Sequence, residues 1–260
     1  MFGKLFTFRG GKSPAAELIV GLAAAAILLG FWELVARLGL VKPQFLPSPG
    51  DVLAALWRML TQQDLLWHTA VSAGRVWSAF LLAALMAIPI GMLMSSYRIV
   101  GASLEPMIDF IRYLPVPALV PLSIIWFGVG ESTKIFLLWL GTFFQLVLFV
   151  ADDARRVPNE YVEVARTVGA RSRQVMTDVI FRAMGPSLLD NLRITLGWCW
   201  TYLIIAEIVA ADSGIGFVIW SARRYVKTPE VMAGVLVIGL VGLVTDQLLR
   251  VLHRRIFQYV

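Results

Sequence analysis

Apolar residues in this chain gather into long runs separated by short polar intervals, and the run lengths set the first expectation. A helix needs about 20 apolar residues to cross the hydrocarbon core. Residues 18–36 meet this, with Glu33 and Arg37 marking the far end. Further runs at 71–94, 106–127, 135–150, 188–211 and 231–251 predict six spans in all. Between the first two, KPQFLPSP at 42–49 carries three prolines, which hold it extended because proline fixes φ and restricts the residue before it. A helix start follows: Ser48 can cap, Pro49 suits the first turn, and Asp51 favours the positive end of the dipole. Val52, Leu53, Leu56, Trp57 and Leu60 are predicted on one face of this short amphipathic helix. It lies on the membrane surface or against a partner, or else packs on its own protein.

The run at 71–94 repeats small residues every four positions, at Ala79, Ala83, Ala87, Gly91 and Ser95. Such a stripe lets another helix backbone approach closely, in this chain or in a second one. The run at 106–127 must kink or open, because Pro115, Pro117 and Pro121 each remove a backbone donor. Broken backbone at membrane depth is tolerated where it is buried or lines a watery cavity. Arg112 lies on this run, either as a functional charge or paired with Asp109 or Glu105 on the same segment. The run at 135–150 carries Gln145, and the run at 188–211 carries Trp198, Trp200, Tyr202 and Glu207.

The polar interval 151–187 holds six of the chain's 23 Lys and Arg residues. After Pro158 its pattern turns helical, with Tyr161, Val164, Ala165 and Val168 at i, i+3, i+4 and i+7. Gly169 interrupts it, and a second short segment from Ser172 to Phe181 is predicted. Two short helices joined at a glycine suit docking better than spanning.

Composition agrees with a polytopic helical membrane protein: 260 residues, 58% hydrophobic, only 15% charged, mean hydropathy +0.76. The net charge of +6 sits at membrane–loop boundaries, which argues against nucleic acid as a partner. With the N-terminus inside, twelve Lys and Arg fall on the cytoplasmic side and seven on the other. That predicts cytoplasmic termini and a cytoplasmic 151–187 loop. Cys199, the only cysteine, is expected as a small packed side chain. No Ala-x-Ala cleavage pattern follows the first run, so it is read as an uncleaved span.

Catalytic sets are missing from the pattern. His68 and His253 are the only histidines, and the topology puts them on opposite sides, so no histidine metal cluster is expected. Ser213-Gly214-Ile215-Gly216 suggests an intramembrane-protease turn, but Ala211 occupies its first glycine position and no spanning histidine supplies a base. A glycine-rich re-entrant turn is the simpler reading. No GxxxxGK[ST] loop is present, and the chain is not expected to be an enzyme.

Glu163-Val164-Ala165, Gly169 beyond it, then Val179-Ile180 and Gly185-Pro186-Ser187 resemble the EAA loop of ABC importer permeases. Val164 replaces the usual first alanine, and Phe181-Arg182 stands where a Leu-Pro pair is common. Leu46-Pro47-Ser48-Pro49, Leu114-Pro115, Ala118-Leu119-Val120-Pro121, Ile125-Trp126-Phe127-Gly128, Ser132-x-Lys134-Ile135-Phe136, Ala206-Glu207 and Asp212-Ser213-Gly214-Ile215-Gly216 are similar to the nitrate/sulfonate/taurine/bicarbonate branch. The likeness runs from about Phe45 to the end.

This resemblance implies an all-α, six-helix type I ABC importer permease fold in the bacterial inner membrane. Residues 1–66 would hold the N-terminal tail, first helix and external amphipathic helix. Residues 67–251 would form the transmembrane core with its coupling loop at 151–187, and 252–260 a cytoplasmic tail. Glu163, Val164, Ala165, Arg166, Gly169 and Ala170 would engage a cytoplasmic ATPase. That partner would bind ATP and Mg, and this chain no cofactor. A second permease subunit, expected to be an identical copy, an external solute-binding protein and membrane lipid complete the partners. The path residues are expected to be Arg112, Trp126, Gln145, Trp198, Tyr202 and Glu207. Arg112 would attract an anion and Glu207 would repel one unless paired, while Trp198 and Tyr202 are equally read as anchors or packing. Arg223, Arg224 and Lys227 would contact the binding protein or form a solvated loop. The expected solute is a small anion such as nitrate, bicarbonate or a sulfonate, with a small nitrogenous or organic compound as the alternative. A secondary carrier or channel is the rival class, though a carrier usually shows two related halves, and none is visible here. A non-transporting scaffold is the other rival, and it would not need a proline-broken helix bearing Arg112.

Overall fold

Alternating apolar runs and proline-rich breaks become a chain of helices in the computed structural model, which describes residues 14–210 and 212–258. The basic tail with Lys4, Arg9 and Lys12 lies outside the described residues, as does Ala211. The elements are α1 (Pro14–Arg37), α2 (Pro49–Gln62), α3 (Leu65–Ser96), α4 (Arg98–Ile111), a 3₁₀ turn (Val116–Leu119) and α5 (Val120–Phe127). They continue with α6 (Glu131–Arg155), α7 (Asn159–Thr167), α8 (Ser172–Gln174), a π-helical segment (Val175–Ile180), α9 (Phe181–Ala210), α10 (Ile215–Arg224) and α11 (Thr228–Ile256). No strand occurs among the described residues. Four helices, α1, α3, α6 and α11, are long and apolar enough to cross a membrane, and α4 with the segment to Phe127 makes a fifth if the bent pair is one span. That is short of the predicted six. The predicted fifth run falls on α9, a 30-residue helix whose first half carries Arg182, Asp190 and Arg193.

The chain divides into two compact units, one running to Gln63 and including Ser221–Ala233, the other Asp64–Trp220 with the chain from Gly234 onward. In the first, α1 is exposed along almost its whole length, from Leu18 to Leu34. A helix that is apolar all round needs lipid or another chain for company. Trp32 Nε1 donates to the Pro47 carbonyl at 2.9 Å, and Thr228 Oγ1 donates to Gln44 O, so both hold the extended 42–49 segment. The predicted start of α2 is present as a capping box: Asp51 N donates to Ser48 Oγ at 3.1 Å and Ser48 N to Asp51 Oδ2 at 3.2 Å. Of its predicted face only Val52 is buried. Val52, Ala55 and Met59 are buried, while Leu53, Trp57 and Leu60 form an exposed apolar row. The compact Ala55 and pliant Met59 fill the close-packed side, and the bulkier side chains turn outward.

At the end of α10, Val226 takes the position that glycine usually fills. Its N–H donates to Arg223 O and the Lys227 N–H to Ala222 O, both at 3.0 Å, with Val226 at φ 54°. This is a Schellman closure with a β-branched residue in the left-handed region, where such a residue is strained. Val226→Gly is expected to raise stability by roughly 1 kcal/mol, read as a higher melting temperature in detergent; no rise would show that the strain is absent.

In the second unit the small-residue stripe of α3 meets α6. A Cβ on Gly91 would lie 2.7 Å from both Val147 O and Val150 Cβ, so only glycine permits this approach. Ala83 and Ala87 join Leu146, Val147, Val150 and Ala151 in the core, which settles that the stripe's neighbour lies within this chain. Helix α9 is tied to α6 by Asn191 Nδ2 donating to Asp153 Oδ2 at 2.7 Å, and to α11 by Trp200 Nε1 donating to Thr245 Oγ1 at 3.1 Å. The second short helix predicted at Ser172–Phe181 is not separate: its residues run through α8 and the π segment directly into α9.

The break in the third run falls between α4 and the 3₁₀ turn, which meet at 87°. Pro106 sits inside α4, whereas Pro115 precedes the 3₁₀ turn and Pro121 lies in the first turn of α5. The opening expected from Pro115, Pro117 and Pro121 is therefore concentrated at Arg112–Pro115.

Candidate functional site

His68, Ser72 and Arg75 recur at i, i+4 and i+7 and so share one face of α3. They converge with the first turn of α6, the end of α9 and the turn leading into α10. Arg75, 3% exposed, spreads its guanidinium among three elements. Its Nε and Nη2 donate to Glu131 at 2.7 and 2.6 Å. Nη1 donates to Glu207 Oε1 and to Ser213 O, each at 2.7 Å, and Nη2 also donates to Ser213 Oγ at 2.9 Å. Lys134 Nζ, one turn along α6, donates to Glu131 Oε1 at 2.8 Å.

Glu207, 1% exposed, is satisfied on every side. Ser72 Oγ lies 2.7 Å from Oε1, and Gly216 N donates to Oε2 at 2.7 Å. Two further backbone donors of the same turn are met by α3: Ile215 N donates to Ser72 Oγ at 2.8 Å and Gly214 N to His68 Nδ1 at 3.1 Å. The carboxylate thus occupies the N-terminus of α10, where backbone N–H groups and the helix dipole favour an anion. The turn can wrap this closely because it is built on glycine. Gly214 has φ 107° and a Cβ there would overlap the Glu207 carboxylate; a Cβ on Gly216 would lie 2.6 Å from Glu207 Cβ. Arg75 and Lys134 face the carboxylates of Glu131 and Glu207, with Asp212 Oδ1 a further 3.9 Å from Lys134 Nζ. Such a set fastens α3, α6, α9 and α10 and offers no open valence to a substrate. Among the described residues no cluster of His, Cys, Asp and Glu suits a metal ion. Ser213 accepts from Arg75 and donates to Asp212 at 3.2 Å, so it is a member of this network and not a nucleophile.

Sequence reasoning placed Glu207 on a path, where it would repel an anion unless paired; Arg75 supplies the pair. It passed over Arg75 itself and gave Lys134 no partner. The available signal was a lone arginine inside an apolar run, which is rarely present without a partner.

Four of the six residues expected on a path do come together. Arg112, Gln145, Trp198 and Tyr202 line one cavity of about 70 Å³, with Leu114, Val116 and Gly141. Arg112 caps α4 at the break. Its Nη2 lies 3.0 Å from Asp109 Oδ1, and its Nη1 reaches Gln145 Oε1 at 3.4 Å. The alternative partner Glu105 is taken instead by Arg155, at 2.6 and 3.0 Å. Gly141 is required here, since a Cβ would stand 2.7 Å from the Tyr202 ring. Trp126 lies away from this cavity, exposed and edge-on to Phe136 with ring centroids 6.2 Å apart.

Helix α7 presents the opposite character. None of its residues is buried, and Tyr161, Val164 and, just beyond its end, Val168 expose the apolar stripe that periodicity identified. Glu163 and Arg166 are exposed and Ala165 is half-buried. The helix closes on its own backbone: Gly169 N donates to Arg166 O and Ala170 N to Ala165 O, both at 3.0 Å, with Gly169 at φ 86°. This Schellman motif needs the left-handed residue, which is why Gly169 stands there. Arg223, Arg224 and Lys227 are exposed near the end of α10, with Lys227 Nζ 3.3 Å from Glu230 Oε1.

A bundle of apolar helices with one span broken over a polar cavity, and an unburied amphipathic helix between two long ones, defines a multi-pass membrane transport subunit. Residues 53–258 match the family described as binding-protein-dependent transport system inner membrane component, and the chain belongs to that family of ABC permeases. It is 36% identical to the taurine transport system permease protein of Escherichia coli, over 92% of this chain and 89% of that protein. A Bacillus subtilis protein named for aliphatic sulfonates transport is 32% identical over 92% of this chain and 87% of its own length. The fold is similar to an inward-facing structure of the MetNI methionine ABC transporter, with TM-score 0.61 at 17% identity, covering 72% of this chain and 95% of that one.

Proposed function

We propose that this chain forms the membrane path of an ATP-driven importer for a small oxyanion of the sulfonate class, delivered by an external binding protein. Its N- and C-termini lie in the cytoplasm, where α7 docks a separate ATPase that holds ATP and Mg. Two copies of the chain enclose the path. The observation that carries this reading is the unburied apolar row Tyr161, Val164 and Val168 on a helix with a self-contained end. A water-exposed helix keeps such a row only if another protein covers it. Arg223, Arg224 and Lys227 would meet the binding protein on the opposite side. The solute class rests on the relatives named for taurine and aliphatic sulfonates, together with Arg112 and Gln145 in the cavity at the broken span.

Reconstitution in proteoliposomes with the ATPase and binding protein tests the reading: taurine uptake should require all three components, and uptake that persists without ATPase would overturn it. In the same assay Arg112→Gln should slow taurine uptake about tenfold or more, the scale of one lost charge-assisted hydrogen bond. Unchanged uptake would remove Arg112 from the path.

A further inference from the structure

A polar cavity lies behind α7, away from the row of apolar side chains. It measures about 390 Å³ and is bounded by the end of α3 (Ser95, Ser96), Tyr97, the end of α6 (Arg155), the start of α7 (Asn159), Arg166 and Ser172. Apolar contacts from Val157, Val162, Val175, Met176 and Ile180 form its floor, and no carboxylate lines it. Arg155 is held by Glu105 through both Nη atoms and lies 3.6 Å from Asp152, so its charge is already balanced. Arg166 has no ion-pair or hydrogen-bond partner for its side chain among the described residues. The same is true of the side chains of Ser96, Tyr97, Asn159 and Ser172, whereas Ser95 Oγ donates to Met92 O at 2.9 Å. One exposed guanidinium without an ion pair, a second already paired nearby, and several solvent-exposed hydroxyl and amide donors around a hollow with no carboxylate in its lining suit a tetrahedral oxyanion.

We infer that this cavity binds a phosphate- or sulfate-like oxyanion, free or as a lipid headgroup, and that the bound anion braces α7 against the ends of α3 and α6. Arg166 and Asn159 ride on α7, whereas Tyr97 and Arg155 belong to the body of the unit, so an anion gripping both sides couples the two. If one position of α7 is preferred by the anion and by the ATPase alike, each ligand tightens the other by the same factor. The brace rests on the docking reading of α7; the anion site does not.

The test uses the full chain in phosphatidylcholine nanodiscs and radiolabelled inorganic sulfate. One saturable site per chain is expected, displaced by phosphate and weakened about tenfold by Arg166→Gln and several-fold by Tyr97→Phe. If the occupant is a lipid headgroup, phosphatidylglycerol in the nanodisc should abolish sulfate binding, and native mass spectrometry should find that lipid retained by the parent chain and lost from Arg166→Gln. No saturable sulfate site and no selective lipid retention would overturn the proposal, as would binding indifferent to both substitutions. Adding the ATPase separates the two layers. Sulfate binding that leaves ATPase affinity unchanged overturns the brace alone, and an ATPase that fails to bind α7 overturns the docking reading while the anion site stands.

Discussion

Replacing Arg75 by alanine is expected to cost about 3–5 kcal/mol of stability, the usual result of removing one partner from a buried ion pair. The side chain makes five hydrogen bonds that join α3 to Glu131, Glu207 and Ser213. Without it, Glu207 keeps only Ser72 and the Gly216 N–H, and a fully buried carboxylate loses its counter-charge. Lysine should rescue poorly, because a point charge cannot reproduce a fork that reaches two carboxylates and a carbonyl. The paired change Arg75→Met with Glu207→Leu should recover most of the loss, since it removes the stranded charge together with its partner. Glu131 remains served by Lys134 in that variant. Thermal unfolding of the detergent-solubilised chain, followed as a double-mutant cycle, measures the coupling. Arg75→Ala melting at the parent temperature would show that the network contributes nothing to stability.

This network marks the limit of what local pattern reveals. The start of α2 was legible because a cap needs only residues 48–51, and the end of α7 because a left-handed position needs only its glycine. The alanine stripe of α3 announced close approach, yet its partner, α6, is a matter of tertiary packing. The Arg75–Glu207 pair joins residues 132 positions apart, and nothing in the local periodicity of either helix specifies the other. In sequence, a short segment ending at Phe181 stands apart from the run beginning at residue 188, because the polar interval between them breaks the apolar pattern. The structure carries the helix through it after a π-helical segment, and such segments are recognised by hydrogen-bond register more than by composition. Of the predicted face of α2 only Val52 is buried. Apolar residues cover a wide arc of that helix, and packing, not hydropathy, selects the buried side.

The position of α9 gives the two halves of the site a common member. Its π-helical lead-in borders the cavity behind α7, and Glu207 closes the network near its other end. At about 1.5 Å per residue the 30 residues of α9 span roughly 45 Å. The cavity behind α7 and the Arg75 network are thus joined by one continuous helix.

Val164→Asp is expected to leave the chain folded and to weaken ATPase association by about 30-fold or more, the effect of losing a central apolar contact worth about 2 kcal/mol. Folding should be spared because no residue of α7 is buried and its end is held by hydrogen bonds to its own backbone, including Thr167 Oγ1 to Val164 O at 2.7 Å. Gly169 supplies the complementary experiment. A Cβ there meets nothing within 4 Å, so any penalty comes from φ 86° and not from a clash. Gly169→Asn, which tolerates the left-handed region, should keep affinity within a few-fold, whereas Gly169→Val should lose it about as fully as Val164→Asp. The readouts are co-purification affinity for the ATPase and the melting temperature of the chain alone. Parent-like affinity in Val164→Asp would remove α7 as the docking element. Equal loss in Gly169→Asn and Gly169→Val would show that bulk at this position matters and the left-handed turn does not. The ordering Asn above Val, with all melting temperatures close together, is the signature of a helix whose end must be shaped correctly for a partner and contributes little to the fold that carries it.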